Sequence, residues 1–155
     1  LMPELPNTAE YAFDLVLKDR WGYFRLGLLA PLSEELVFRG AILRELLKWK
    51  ENPWIGIIIS AMLFSLVHMN PVQMPHAFLV GILLGWLYYR TNSIIPGVTW
   101  HWVNNTIAYV MYNLTNPDET LLEYFGSQQR VLMAVGFSLM IFLPALYQLN
   151  QRLRK

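Results

Sequence analysis

The residues of this sequence that could carry out chemistry form three short groups, and each group contains a pair of residues four positions apart. The groups are Glu34-Glu35…Arg39, Phe64…His68 and His101…Asn105. Residues four apart lie on one face of a helix. A carboxylate can act as a general base, a histidine can share the proton, and a His/Asn pair can donate hydrogen bonds to an oxyanion. Together these residues have the chemistry to activate a water molecule.

The first group combines an ion pair with a second carboxylate. Glu35 and Arg39 share a helix face and can pair. Glu34 is rotated by about 100° from Glu35, because a helix has about 3.6 residues per turn. One carboxylate can therefore be tied to Arg39 while the other faces the interior of a bundle. Taken alone, the pattern is equally compatible with an amphipathic surface helix that carries an ion pair.

The histidines also have simpler interpretations when each is considered alone. His68 is compatible with a helix end that is wetted by a membrane interface, and His101 with Asn105 is compatible with interhelical hydrogen bonding. We interpret Asn104 as a packing residue and His76 as an interfacial one. Because polar residues at helical spacing recur in three separate segments, we expect them to gather into one buried site.

Composition indicates an integral membrane protein. The 155 residues are 55% hydrophobic and 15% charged, whereas soluble domains carry about 25% charged residues. Between Pro53 and Asn116, Arg90 is the only Asp, Glu, Lys or Arg. Ionisable residues inside a membrane face a partner or a wet cavity. A net charge of +1 gives no reason to expect nucleic acid as a partner, and the absence of cysteine excludes disulfides and a cysteine nucleophile.

The apolar pattern predicts an all-α, polytopic bundle of about five membrane helices, preceded by a short interfacial segment. A membrane helix needs roughly 20 residues. The five segments run from about residue 26 to 47, 53 to 69, 75 to 89, 94 to 114 and 130 to 149. We therefore predict an interfacial segment or linker at 1–25, a membrane-embedded catalytic core at 26–150 and a basic tail at 151–155.

Turn signals separate these segments, and one segment has a packing signal. The predicted breaks are Asn52-Pro53, Asn70-Pro71, Thr91-Asn92-Ser93 and Asn116-Pro117-Asp118. Gly81 and Gly85 have the small-xxx-small spacing that lets helices approach closely in lipid.

The distribution of basic residues predicts a cytoplasmic C-terminus. In short loops, Lys and Arg favour the cytoplasmic side. The residues that support this orientation are Arg44, Lys48, Lys50, Arg90, Arg152, Arg154 and Lys155; those that oppose it are Lys18, Arg20 and Arg25. The start of the chain lacks the basic and apolar regions of a signal peptide. Because the chain begins at Leu1, we expect a processed product or a fragment of a longer chain.

The three groups resemble the motif set of the CAAX protease and bacteriocin-processing family, which includes the type II CAAX prenyl endopeptidases. That set reads Glu-Glu-x-x-x-Arg, Phe-x-x-x-His and His-x-x-x-Asn on successive membrane helices, and the resemblance covers about residues 26–112. It implies a glutamate-dependent intramembrane peptidase without a metal, acting on a peptide or protein substrate, lipidated or not, at the lipid bilayer.

The resemblance also implies a role for each site residue. Glu34 would be the general base that activates water, assisted by His68. Glu35 and Arg39 would orient the helix and tune the site. His101 and Asn105 would form the oxyanion hole.

Two other readings remain open. A zinc metallopeptidase could bind its metal through His68, His101 and one carboxylate, either Glu34 or Glu35, although the His-Glu-x-x-His signature is absent. A non-catalytic binding or self-immunity protein of the same family could use the polar cluster for recognition. Full biological effect in a folded Glu34→Ala variant would favour that second reading. A serine enzyme is disfavoured, because no serine lies in a nucleophile elbow.

Overall fold

A computed structural model describes residues 15–49, 51–114 and 120–153. The chain divides into two compact units, Leu1–Tyr109 and Val110–Lys155. The described residues form helices and contain no strand, which confirms the predicted all-α class for this part of the chain. Among them, one helix is both long and apolar enough to cross a membrane, Gln128–Arg152. The predicted count of five membrane helices is therefore not confirmed.

A short helical stretch at residues 15–18 precedes the first long helix, α1, which comprises residues 24–49 and alternates between π-helical and α-helical turns. Its four stretches are Phe24–Leu29 (π), Ala30–Glu35 (α), Leu36–Leu43 (π) and Arg44–Trp49 (α). In a π-helix each N–H bonds the carbonyl five residues earlier, and such turns often occur at functional sites. The spacing predicted an ordinary helix here, so the π-helical turns are a correction. One buried hydroxyl supports them from outside, because Ser60 donates to the carbonyl of Phe38 over 3.0 Å.

A proline leaves one carbonyl of α1 without its expected donor. The N–H of Ala30 bonds the carbonyl of Arg25, five residues earlier. By the same pattern, the N–H of residue 31 would donate a hydrogen bond to the carbonyl of Leu26. That residue is Pro31, which has no N–H. The Leu26 carbonyl is therefore available to a group on another helix.

Three further helices follow close to the predicted segments: α2 (Pro53–Leu66), α3 (Met74–Thr91) and α4 (Ile95–Leu114). Asn52 caps α2 by accepting a bond of 3.0 Å from the Trp54 N–H. After α3, Asn92 adopts a left-handed conformation with φ 51°, which ends the helix. These two predicted breaks are confirmed, and the break at 116–118 lies outside the described residues. α2 ends three residues before its predicted end at 69, so His68 follows the helix.

Small residues bring α2 and α3 close together. A Cβ atom on Gly81 would lie 3.0 Å from both Cα and Cβ of Ala61, and one on Gly85 would lie 3.1 Å from Cγ2 of Ile57. The predicted role of this glycine pair is confirmed. The contact also places the Gly81 carbonyl beside Arg39, a buried residue of α1.

Replacing Gly81 with alanine is expected to destabilise the fold by about 1–3 kcal/mol, the usual cost of overpacking a tight interior. Unfolding in a detergent titration would measure the loss. Gly136→Ala is the control, because a Cβ there would have no atom of the described residues within 4 Å. Adding Ala61→Gly to Gly81→Ala should recover stability. Equal stability of the two single alanine variants would contradict this account of the helix contact.

The second unit holds α5 (Leu121–Phe125) and α6 (Gln128–Arg152). Thr120 and Glu123 form a capping box at the start of α5. The hydrogen bonds from the Thr120 backbone and hydroxyl hold the pKa of the Glu123 carboxyl below its usual range. α6 covers the fifth predicted apolar segment, and it begins behind Ser127, whose side chain accepts from the Arg130 N–H.

Candidate active site

The site forms where α4 runs antiparallel to α1. Along the chain from residue 94 to 105, the contacts on α1 move backwards: Ile94 lies against Gly40, Gly97 against Glu35, His101 against Glu34 and Glu35, and Asn105 against Leu26. Gly97, His101 and Asn105 are each four residues apart and so share the face that meets α1. These contacts bring the first and third motifs together.

Glu35 lies at the centre of these contacts and is fully buried. Its Oε1 accepts a hydrogen bond of 2.8 Å from Nη1 of Arg39 and lies 3.2 Å from Nδ1 of His101. The side chains of Glu35 and Arg39 are both 0% exposed, so they do not form a surface ion pair. A buried pair of this kind needs further hydrogen bonds to offset the cost of removing both charges from water.

Arg39 provides those further contacts and connects three helices. Its Nη1 binds Glu35, its Nη2 donates to the Gly81 carbonyl over 3.0 Å, and its guanidinium lies 4.5 Å from the ring centre of Phe64. A planar guanidinium suits this combination, because it can bond in a fork and stack on an aromatic face. Arg39 thereby fixes the carboxylate of Glu35 relative to α2 and α3.

Glu34 approaches His101 from the other side of the ring. Its Oε2 lies 3.7 Å from Nε2 of His101, and its side chain is 29% exposed. This oxygen has no hydrogen-bond partner among the described residues. The His101 ring thus lies between two carboxylates, with Nδ1 towards Glu35 and Nε2 towards Glu34. Catalytic hydrogen bonds are often long before substrate binds, so 3.7 Å is compatible with a working contact.

His68 reaches the same region through Phe64. Its Nδ1 lies 2.8 Å from the Phe64 carbonyl, and its ring centre lies 5.0 Å from that of Phe64. The Phe64 ring is also 5.6 Å from the His101 ring, so one phenyl group contacts both histidines. A carbonyl oxygen can only accept, so Nδ1 of His68 carries the proton and Nε2 of the neutral ring is an acceptor.

Asn105 binds the carbonyl that Pro31 leaves without a donor. Its Nδ2 donates to the Leu26 carbonyl over 2.9 Å. An amide nitrogen has two N–H groups, so this bond uses one of the two donors. The predicted common face of His101 and Asn105 is present in the structure. The partner of Asn105 was not predictable, because the spacing of the motif does not indicate the π-helical turns on α1.

Two residues outside the three motifs also shape the site. The hydroxyl of Tyr23 accepts from Nε1 of Trp102 over 3.1 Å and lies 3.2 Å from Oγ1 of Thr106, which ties α4 to the start of α1. Gly97 lies so close to α1 that a Cβ there would be 2.8 Å from Oε2 of Glu35. The sequence contained only weak signals for these two contacts. They were a polar residue, Thr106, one turn after Trp102, and a glycine, Gly97, one turn before His101.

The described residues contain no group of three His, Asp or Glu side chains that could hold a metal ion. Zinc binding through His68, His101 and Glu35 would require these side chains to rearrange.

Comparison with known proteins gives a match to one family model and to several curated relatives. The family model of type II CAAX prenyl endopeptidase Rce1-like proteins matches residues 17–107. The membrane-embedded CAAX protease MroQ of Staphylococcus aureus (strain USA300) is 30% identical over 118 residues, which are 73% of this chain and 47% of that protein. The UPF0177 protein YxdF of Lactococcus lactis subsp. lactis (strain IL1403) is 33% identical over 78 residues, 49% of this chain and 41% of that protein. The chain therefore spans less than half the length of these curated relatives. No solved structure matches it significantly.

Proposed function

This chain belongs to the type II CAAX prenyl endopeptidase Rce1-like family, as its three motifs predicted, and we propose that it is a membrane-embedded endopeptidase whose water is activated by Glu34. One observation carries the proposal: Oε2 of Glu34 lies 3.7 Å from Nε2 of His101 and has no hydrogen-bond partner among the described residues. A carboxylate in that position can take a proton from a water molecule. The name of MroQ, a membrane-embedded CAAX protease, supports the same class of reaction.

The proposed reaction is hydrolysis without a covalent intermediate. Glu34 removes a proton from water, and the resulting hydroxide adds to the carbonyl carbon of the peptide bond. His68 shares the proton through its Nε2. His101 and Asn105 donate hydrogen bonds to the oxyanion. The carbon–nitrogen bond then breaks as the proton passes to the leaving amine.

We propose that the protein is a multi-pass membrane protein that lies in the lipid bilayer and has its C-terminus in the cytoplasm. Exposed apolar side chains on the outer faces of α1 and α2 support contact with lipid, among them Leu32, Leu36 and Met62. The buried charges of Glu35 and Arg39 fit this setting, because each has a partner of opposite sign. Reporter fusions at the C-terminus would test the orientation.

The substrate we propose is a peptide or protein, lipidated or not. The test is to reconstitute the purified protein in vesicles and offer matched peptides ending in Cys-a-a-X, one set prenylated on the cysteine and one set unmodified. Mass spectrometry of the products identifies the cleaved bond. Cleavage of the prenylated set alone would assign a lipidated substrate, and cleavage of both sets an unmodified one. Absence of cleavage in every set, with folded protein, would count against the proposed function.

Strong chelators are expected to leave the cleavage rate unchanged, because none of the proposed steps uses a metal ion. The rate would be measured after dialysis against a chelator and again after zinc is added back. A metal assay on the purified protein provides the control. Activity that is lost to the chelator and restored by zinc would overturn the metal-free mechanism and favour the zinc alternative.

A further inference from the structure

The hydrogen bond between Glu35 and His101 determines which ring nitrogen carries a proton. Oε1 of Glu35 accepts from Arg39 over 2.8 Å, as an ionised carboxylate does in a charge-assisted pair. An ionised carboxylate can only accept hydrogen bonds. The nitrogen 3.2 Å away, Nδ1 of His101, must therefore be the donor. The bond made by one ring nitrogen of a histidine sets the state of the other.

We infer that Glu35 is a positioning residue that holds His101 in one tautomer, with Nδ1–H bonded to Glu35 and Nε2 turned towards Glu34. This inference rests on the proposed function, because it assigns Glu35 a task within the same site. It also explains why Glu35 is completely buried and bound to Arg39, since a mobile carboxylate could not hold the His101 ring in one orientation.

Gly97 contributes to the same positioning of the His101 ring. Oε2 of Glu35 has no hydrogen-bond partner among the described residues and lies where a Cβ on Gly97 would be 2.8 Å away. A side chain on residue 97 would push the carboxylate out of line with His101. Gly97 therefore provides the space in which Glu35 reaches Arg39 and His101 with a single oxygen, and it lies one turn before the ring that Glu35 orients.

The inferred tautomer refines the route of the proton. With Nδ1 committed to Glu35, a neutral His101 presents a lone pair at Nε2 and has no N–H there for an oxyanion. Glu34, whose Oε2 is 3.7 Å away, can pass the proton it takes from water to that nitrogen. The ring then has two N–H groups, donates from Nε2 to the oxyanion, and gives the proton to the leaving amine as the peptide bond breaks.

The tautomer can be measured without any assay of activity. The protein would be labelled with nitrogen-15 in its histidine rings and examined by NMR in detergent or bilayers. The chain has three histidines, so His68→Gln and His76→Gln variants assign the third signal to His101. We expect a proton on Nδ1 and none on Nε2 in the free protein. A proton on Nε2 with a bare Nδ1 would overturn the inference.

Gly97→Ala and Gly40→Ala form a matched pair of variants on facing helices. Among the described residues, the nearest atoms to a Cβ on Gly40 would lie at an ordinary contact distance of 3.8 Å. We expect Gly97→Ala to abolish the shift that the carboxylate gives to Nδ1–H and to lower kcat by about 10²-fold or more with little change in KM. Gly40→Ala should change neither. An unchanged His101 spectrum in folded Gly97→Ala protein would refute the role of Gly97. Absence of peptidase activity with the expected spectrum would instead refute the proposed function alone.

Discussion

Replacing Glu34 with glutamine is expected to lower the rate of peptide cleavage by about 10²- to 10⁴-fold, the usual contribution of a general base. Glutamine keeps the size of the side chain but cannot take a proton from water. The half-buried position of Glu34 and the unbonded state of its Oε2 predict little change in folding. The measurement is the single-turnover rate on any peptide that the wild-type protein cleaves, with the melting temperature recorded alongside.

Glu45→Gln is the control for this experiment. Glu45 lies on the same helix, but its carboxylate is exposed and bonds only Lys48 among the described residues. Loss of a carboxylate as such should therefore leave the rate unchanged. If the Glu34→Gln variant cut peptides at the wild-type rate, another group would have to activate the water. Equal losses in both variants would indicate a general effect of charge on the protein.

Replacing Arg39 with methionine is expected to destabilise the fold by about 3–5 kcal/mol, because it leaves the carboxylate of Glu35 buried without a counter-charge. The variant also loses the bond to the Gly81 carbonyl and the contact with the Phe64 ring. A detergent unfolding titration would measure the change. Lys48→Met is the control, because the Glu45–Lys48 pair is exposed and its loss should have no measurable effect.

A double variant tests the cause of the Arg39 effect. In Glu35→Leu/Arg39→Met the buried charges are both removed, and apolar replacement of a buried ion pair is often neutral for stability. Stability should therefore recover well above that of Arg39→Met alone, while cleavage stays low because His101 has lost its partner. If Arg39→Met alone were as stable as the wild type, Glu35 would not depend on Arg39.

Local spacing was sufficient to predict the parts of the site that depend on one helix. The contact of Glu35 with Arg39 follows from their separation of four residues, and the helix ends at Asn52 and Asn92 follow from capping and turn chemistry. The close approach at Gly81 was also predictable, because small residues at this spacing have a known packing role.

The remaining features depend on contacts between helices, which no local pattern specifies. The π-helical turns of α1 are supported by an outside group, the Ser60 hydroxyl at the Phe38 carbonyl. The choice of Glu35 as the partner of Nδ1 of His101 depends on how α4 is aligned with α1. The end of α2 before His68 was missed, because the apolar run continues through Val67 while the helix stops at Leu66.

The Leu26 carbonyl, which Pro31 leaves without a donor, also affects how α4 aligns with α1. In hydrocarbon an unsatisfied backbone carbonyl costs several kcal/mol. Gly97, His101 and Asn105 repeat every four residues, so α4 could slide along α1 by one turn and still present a similar face. In the observed alignment Asn105 reaches the Leu26 carbonyl at 2.9 Å, whereas a slip of one turn would leave that carbonyl bare. A proline on one helix thus determines the register at which another helix packs against it.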